Sequence, residues 1–417
     1  MPQPPRRVAT LVLVDADATV LGQLPAFPVA TPWWQDTAPL VEACRERYGI
    51  RPTVLRLLSS ERGSYPGGGV TYLAEAGRSD VAAVASWLQP WTGTLDEQPL
   101  RLSWAKVGGP AADLAWADEA LTGAERPRTG DAEQMRTWNL SSVWRLPTST
   151  GPAWLKVVPP FFAHEGAVLD RLAGGPVPRL LGHDGPRVLM ADVAGDDRYD
   201  ATGPELLRMV DALVAIQRAW AGRFDELAAM GLPDWRPPFL ETAIADVVDR
   251  TADELGADER AALVRFVHGL PSRLAAVDEC GLPDTLVHGD FAPGNVRGDG
   301  DGTPMTVLDW GDSTIRHPLL DLPAFLDRTP TADRPAIRAH WESAWGAAVP
   351  GADPASAARL LAPVAAARQA VVYRRFLDNI EPSERVYHSG DPADWLRRTV
   401  AILDAEGARF SDRSGSA

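Results

Sequence analysis

The sequence is poor in cysteine, in positive charge and in long apolar runs. Its 417 residues include two cysteines, Cys44 and Cys280, too few for a disulfide framework or a cysteine-rich zinc site and typical of a reducing cytosol. The 41 Lys and Arg face 56 Asp and Glu, a net charge of −15, which argues against a chain that mainly binds nucleic-acid phosphate or anionic lipid. No apolar run approaches the ~18 residues of a membrane span. We therefore expect a cytoplasmic protein with neither a membrane nor a nucleic-acid partner.

Lysine is also scarce. Only Lys106 and Lys156 occur among the 41 basic residues, and all the others are arginine. Such a chain is expected to keep lysine mainly where a compact ammonium is needed and a forked guanidinium fails. Chance survival is the alternative for either lysine taken alone, so the surrounding sequence must decide between the two readings.

Apolar and charged residues are present in the proportions of a folded protein. Hydrophobic residues make up 45% and charged residues 23% of the chain, and its length suits two or three domains. The pattern predicts an α+β protein of two lobes, preceded by a smaller α+β domain. The expected parts are an amino-terminal domain (1–95), a linker with partial structure (96–131), a strand-rich small lobe (132–195) and a helical large lobe (196–417).

The small lobe is predicted from short apolar segments. Residues 137–146 and 153–158 are typical of two strands joined by a turn at 148–151, followed by a helix over 165–172 and a strand over 188–192. Beyond residue 195 the apolar residues recur at helical spacing. Helices are predicted from a capping box at 202–205 onward and near 258–278, 332–347 and 356–378.

One segment of the large lobe carries the strongest chemical signal. Residues 287–296 read VHGDFAPGNV and place an aspartate, Asp290, five positions before Asn295; an apolar strand then ends at Asp309, fourteen residues further on. Phosphoryl transfer needs a carboxylate to orient or deprotonate the attacking hydroxyl, together with hard oxygen ligands that hold Mg²⁺ against the nucleotide phosphates. Magnesium keeps several waters, so two protein ligands are enough.

This pattern, HGDxxxxN followed by LDW, resembles the aminoglycoside phosphotransferase and choline kinase group of protein-kinase-like enzymes. The resemblance covers residues 135–400 and implies a bilobal protein-kinase-like fold with ATP bound between the lobes. It implies that Asp290 is the catalytic base and that Asn295 and Asp309 bind Mg²⁺. It also implies that Asp321 braces the catalytic loop and that His288 has a structural role. Ala292 departs from the family, which often has histidine there.

The small lobe offers candidates for nucleotide binding. Lys156 lies in a predicted strand and Glu165 begins the next helix, the arrangement in which a glutamate holds a lysine on the α- and β-phosphates. The segment 139–142 lies where the resemblance places a phosphate-covering hairpin, and 190–193 where it places the hinge that binds adenine. The residues singled out in these two segments are Ser141, Ser142, Met190 and Val193.

The amino-terminal domain has a weaker resemblance. Strands are predicted at 8–14 and 53–58, around a helix over 37–48 that Thr37 caps and Gly49 ends. This order, with EACRERYGI at the helix end, resembles a Nudix domain. Of the glutamates that bind magnesium in an active Nudix helix, Glu46 matches one, whereas Arg47 replaces its neighbour and opposes metal binding. We expect a degenerate Nudix-like domain used for packing or recognition, with nucleoside diphosphate hydrolysis as the alternative.

The sequence therefore predicts an ATP- and Mg²⁺-dependent phosphotransferase that acts on a hydroxyl of a small molecule. The acidic balance suits a cationic acceptor such as an aminoglycoside or similar amino-sugar. A kinase for another metabolite (choline-like, amino-sugar or nucleoside-type alcohol) and a catalytically silent binding module are the alternatives. The acceptor's identity, the choice between ATP and GTP, and the oligomeric state stay open. The acids expected to pair with acceptor amines are Asp378, Glu381, Glu384 and Asp391, and the tryptophans expected to pack in the core rather than line a substrate cleft are Trp341, Trp345 and Trp395.

Overall fold

The chain divides into two compact units in a computed structural model, which describes residues 4–61, 66–300 and 304–414. Unit 1 comprises Met1–Gly166, Leu180–Asp192 and Phe376–Ser389. Unit 2 comprises Ala167–Arg179, Val193–Arg375 and Gly390–Ala417. No helix of the described residues combines the length and apolar character needed to cross a lipid bilayer.

Strands predominate in the first half of the chain. Up to residue 192 the elements are β1 (Arg7–Val14), β2 (Val20–Gln23), β3 (Phe27–Val29), α1 (Ala38–Tyr48), β4 (Thr53–Ser60), β5 (Gly68–Glu75), α2 (Arg78–Val84), α3 (Gly109–Gly123), β6 (Glu133–Trp138), β7 (Ser141–Leu146), β8 (Ala153–Val157), α4 (Glu165–Arg171), β9 (Leu180–Asp184) and β10 (Arg187–Ala191).

Helices predominate in the second half. Its elements are β11 (Asp196–Asp197), α5 (Pro204–Trp220), α6 (Phe224–Ala229), α7 (Phe239–Arg250), α8 (Ala257–Asp278), β12 (Thr285–Val287), β13 (Val296–Gly298), β14 (Thr306–Val307), β15 (Thr314–Arg316), α9 (Asp321–Asp327), α10 (Arg334–Ala348), α11 (Pro354–Asn379), α12 (Pro382–Arg385) and α13 (Asp391–Ser414).

The first sheet of unit 1 has the order β2–β1–β5–β4, with β3 paired to the free part of β1. β1 and β5 run parallel, and the other pairs are antiparallel. Leu11 and Leu13 of β1 pack in one core with residues of α1, whereas Val12 and Val14 pack in another with Leu55. Because both faces of β1 are covered, its sequence is almost continuously apolar rather than alternating.

The second sheet of unit 1 is antiparallel, in the order β6–β7–β8–β10–β9. Residues 137–146, predicted as one strand, form the end of β6, a tight turn at 139–140 and all of β7. Residues 96–131, predicted as a linker with partial structure, contain the 15-residue helix α3. Trp104 and Leu121 from this stretch are buried in one core with Leu155 of β8, so the stretch packs as part of unit 1.

The two sheets of unit 1 are joined by hydrogen bonds at the edge strand β6. The Gln134 amide donates to the Val54 carbonyl at 2.7 Å and accepts from the Val54 N–H at 2.9 Å. Thr37 lies at the N-cap position of α1, as predicted, but its side chain forms no capping hydrogen bond. Its hydroxyl donates instead to the Gln134 carbonyl at 3.2 Å, because a buried hydroxyl satisfies the nearest available acceptor.

Unit 2 is mainly helical, with short strands only where the chain turns between helices. β12 pairs with β15, and β13 pairs with both β11 and β14. α5 buries one face, which includes Leu206, Val210 and Leu213, as its apolar spacing predicts. The capping box predicted at its start is wrong: the cap residue is Gly203 without a side-chain cap bond, and Glu205 instead forms an ion pair with Arg198 at 2.6 Å.

Candidate active site

A buried aspartate organises the loop that follows β12. Asp321, at the start of α9, is fully buried. Its two oxygens accept the N–H groups of His288 at 2.9 Å and Gly289 at 2.8 Å. The side-chain amide of Gln217 on α5 donates to the same carboxylate at 3.0 Å. Burial raises the pKa of Asp321, and the loop N–H groups offset part of that rise. The three donors tie the loop to α9 and α5.

His288 is tied to the backbone at both ring nitrogens. Nδ1 accepts the N–H of Asp290 at 3.3 Å, and Nε2 contacts the carbonyl oxygen of Leu308 at 2.8 Å. Because a carbonyl only accepts, the second contact places a proton on Nε2. Both ring nitrogens of His288 therefore contact backbone atoms, and its structural role stays a prediction.

The loop requires glycine at position 289. Gly289 has a φ of +90°, a conformation that side-chain-bearing residues rarely adopt. A Cβ placed there would also lie 2.1 Å from the carbonyl oxygen of Asp312. Glycine therefore lets the chain turn immediately before Asp290 while the segment after Asp309 packs against it.

Asp290 follows this turn with about 29% of its side chain exposed. Its Oδ2 accepts from the Asn295 amide at 3.2 Å, and its Oδ1 lies 3.1 Å from Nη2 of Arg328. Burial raises the pKa of Asp290, and the nearby Asp309 charge raises it further, whereas Arg328 lowers it. A carboxylate with a raised pKa is a better proton acceptor than an ordinary surface aspartate.

Asn295 and Asp309 are brought together by the pairing of β13 with β14. Val296 pairs with Val307, and the Leu308 N–H donates to the Asn295 carbonyl at 2.8 Å. Asp309 itself is left-handed, with a φ of +63°. A non-glycine residue in this region is uncommon, and such strained conformations cluster at functional sites.

These residues fit a magnesium ion held by two protein ligands. The Asn295 amide nitrogen donates to the carbonyl and carboxylate of Asp290, which turns its amide oxygen away from that residue. Amide and carboxylate oxygens are ligands that Mg²⁺ accepts. Among residues 4–61, 66–300 and 304–414, no three His, Cys, Asp or Glu side chains cluster in a way that could hold a metal ion.

Lys156 and Glu165 form an ion pair in unit 1. Nζ lies 2.8 Å from the carboxylate, and the Lys156 and Glu165 side chains are 14% and 2% exposed. β8 carries the lysine beside Val188 of β10 and Val143 of β7, and α4 begins at the glutamate. The predicted pairing of the strand lysine with the glutamate that begins the next helix is therefore present.

The other nucleotide candidates have different surroundings. Ser141 and Ser142 lie within β7 and are buried. Their hydroxyls accept from the indoles of Trp138 at 2.9 Å and Trp144 at 3.1 Å, contacts that do not favour a role on phosphate. Met190 lies in β10, and Val193 follows where the chain passes from unit 1 to unit 2.

The acids predicted to bind acceptor amines are already engaged. Glu381 forms an ion pair with Arg101 at 2.9 Å, and Glu384 is buried and accepts the Asn139 N–H at 3.0 Å. Asp378 and Asp391 are not without partners either. Of the three tryptophans, Trp341 and Trp345 are fully buried, as predicted, whereas Trp395 lines a cavity of about 470 Å³ among α9, α10, α11 and α13.

Three further contacts in the site were not predicted from the sequence. Arg328 reaches Asp290, Gln217 reaches Asp321, and the buried Arg368 donates to the Gly289 carbonyl at 3.2 Å. Each partner is distant in sequence, and arginine is so frequent in this chain that no single one stands out. Only the tertiary structure identifies them.

Comparison with a family model identifies the class of this protein. The family model described as the phosphotransferase enzyme family (APH) matches residues 137–360, more than half of the chain. The chain belongs to this family. It is therefore a phosphotransferase with an alcohol group of a small molecule as acceptor. No curated protein sequence matches the chain significantly.

Solved structures support the fold. A macrolide 2′-phosphotransferase type I matches with a TM-score of 0.50 and 18% identity, over 68% of this chain and 97% of its own. An aminoglycoside 2′-phosphotransferase-IIIa in complex with GDP matches with a TM-score of 0.49 and 14% identity, over 72% of this chain and 99% of its own. A choline/ethanolamine kinase family protein from Mesorhizobium loti matches with a TM-score of 0.47 and 19% identity, over 70% of this chain and 98% of its own. At these identities the first of them shows the shared fold, and none shows the substrate.

Proposed function

We propose that the protein transfers the γ-phosphoryl group of ATP, with Mg²⁺, to a hydroxyl of a small molecule. The observation that carries this proposal is the grouping of Asp290, Asn295 and Asp309, which backbone pairing and the Asp321 carboxylate hold together. The free cysteines, Cys44 and Cys280, suit a cytoplasmic enzyme.

Asp290 acts on the acceptor in this proposal. It orients the hydroxyl and accepts its proton, while the hydroxyl oxygen bonds to the γ-phosphorus and the bond from that phosphorus to the bridging oxygen breaks. The electron pair of that bond leaves with ADP. Asn295 holds Asp290 in place through its amide hydrogens.

The remaining residues act on the nucleotide. Asn295 and Asp309 would hold Mg²⁺, which neutralises the charge of the phosphates when it is bound. Lys156, held by Glu165, would contact the α- and β-phosphates. The backbone of the turn at 139–140 would cover the phosphates, and the segment from Met190 to Val193 would receive adenine. The choice of ATP as the phosphoryl donor, with GTP as the alternative donor, is part of the proposal.

The metal ligands provide the test. Nucleotide binding is measured by calorimetry with and without Mg²⁺ for the wild type and Asp309→Asn. We expect Mg²⁺ to strengthen ATP binding in the wild type and Asp309→Asn to lose most of that gain, because an amide is a weaker and uncharged ligand. Asp299→Asn, which changes an acid outside the site, is the matched control. An Asp309→Asn protein with the full Mg²⁺ effect would contradict the assignment.

A further inference from the structure

One arginine lies directly on the carboxylate that the proposed reaction uses. Arg328 Nη2 is 3.1 Å from Asp290 Oδ1, and 54% of the Arg328 side chain is exposed. The other carboxylate oxygen is taken by Asn295 at 3.2 Å. Oδ1 of Asp290 is therefore the oxygen that an acceptor hydroxyl would approach, and the accessible guanidinium of Arg328 lies beside it.

The other acids near Asp290 have partners or roles of their own. Asp312 stabilises the charged forms of the buried Arg368 and the partly exposed Arg375. Asp321 holds the loop amides, and Asp309 belongs to the metal in the proposed function. Arg328 is thus an accessible cation. An acceptor group that binds Arg328 would take the place of its present partner, Asp290.

We propose that Arg328 binds an anionic group of the acceptor, so that the acceptor is a small alcohol carrying a carboxylate near the phosphorylated hydroxyl. This inference rests on the proposed function, because it takes Asp290 as the residue that receives the hydroxyl proton. A guanidinium presents a planar fork of N–H groups that matches a carboxylate in two hydrogen bonds. When an acceptor carboxylate takes Arg328, Oδ1 of Asp290 is released for the hydroxyl.

An amine in the same position is disfavoured for the converse reason. An ammonium near the reacting hydroxyl would lie close to the Arg328 guanidinium, where like charges repel. The four acids that the sequence offered for an amine are already engaged. A net charge of −15 spread over the whole chain therefore says little about the charge at this one position.

Matched acceptors test the inference. ADP release with MgATP is measured for triplets that share a carbon skeleton and contain one neutral, one anionic and one cationic alcohol: glucose, glucuronate and glucosamine; galactose, galacturonate and galactosamine; glycerol, glycerate and serinol. Wild type is compared with Arg328→Ala, Arg328→Lys and the control Arg338→Ala, an arginine of similar exposure paired with Glu342. We expect the acids to have the highest kcat/KM, and Arg328→Ala to lower it about 30-fold for acids, chiefly through KM, and little for neutral members. Arg328→Lys should restore part of the loss.

The outcomes separate the two proposals. Preference for amines, or an equal effect of Arg328→Ala on all three members of a triplet, overturns the role of Arg328 and leaves the proposed function standing. ADP release that is unchanged by Asp290→Asn overturns the proposed function and removes the basis of the inference with it.

Discussion

Replacing the buried carboxylate of Glu384 by an amide should change how the stability of the protein depends on pH. Glu384 lies on α12 and is 4% exposed. Burial raises its pKa to about 8, and neighbouring Glu381 adds to the rise, while the Asn139 N–H and the Trp34 indole oppose it. Around it, Trp34 stacks on Tyr387 with ring centroids 3.6 Å apart, so water has little access to the carboxyl group.

The direction of this pH dependence follows from the number of protons that the folded and unfolded states bind. With a pKa raised from 4.5 to about 8, the folded protein keeps this proton over a range in which the unfolded chain has lost it. Folding therefore takes up a proton between these values, and the free energy of unfolding falls as pH rises, by at most about 1.4 kcal/mol per pH unit from this group. Below the pKa of this group in the unfolded chain, its contribution to the free energy of unfolding is fully present, and above about pH 8 that contribution is lost.

Glu384→Gln removes the titrating proton and keeps an oxygen that can accept the Asn139 N–H. Urea denaturation at several pH values between 5 and 8 should show the two proteins similarly stable at pH 5, with the variant increasingly favoured as pH rises. Glu46→Gln, an exposed control on α1, should leave the wild-type dependence unchanged. If Glu384→Gln follows the wild-type pH dependence throughout, the carboxyl group is already ionised and the reasoning fails.

Other predictions concern the kinase site. Lys156→Ala should lower kcat/KM for ATP about 100-fold, and Lys106→Ala should not; equal effects in steady-state assays would contradict the role of the Lys156 pair. Asp321→Asn should destabilise the protein by about 1–3 kcal/mol, because an amide cannot accept both loop N–H groups; wild-type stability in urea and wild-type activity would contradict this. Gly289→Ala should abolish ADP release, since its Cβ would meet the carbonyl of Asp312 at 2.1 Å; retained turnover would show that the loop can adjust.

The chemical motif could be predicted because its parts are close in sequence. Asp290, Asn295 and Asp309 lie within twenty residues, and a tight loop followed by a short strand pair leaves few ways to arrange them. Lys156 and Glu165 were predictable for the same reason, since a strand and the start of the next helix separate them. The helical spacing of apolar residues likewise predicted α8, α10 and α11 to within a few residues of their observed bounds.

The errors arise where tertiary contacts override local pattern. The turn at 139–140 lacks glycine and proline, so β6 and β7 looked continuous. In α3 the small and apolar residues surround the helix instead of forming one stripe, which made the segment resemble a linker. Glu381 and Glu384 were predicted to pair with acceptor amines, and only the fold shows Arg101 and the Asn139 N–H beside them. The Nudix-like character of residues 1–95 stays a prediction.

The reaction itself is tested most directly at Asp290. ADP release with MgATP and a turned-over acceptor is measured for the wild type and Asp290→Asn, with ATP binding followed by calorimetry on the same samples. We expect the variant to bind ATP as the wild type does and to lose about 10²–10⁴-fold in kcat, the usual contribution of a positioned base. A variant that binds ATP and turns over at the wild-type rate would contradict the account.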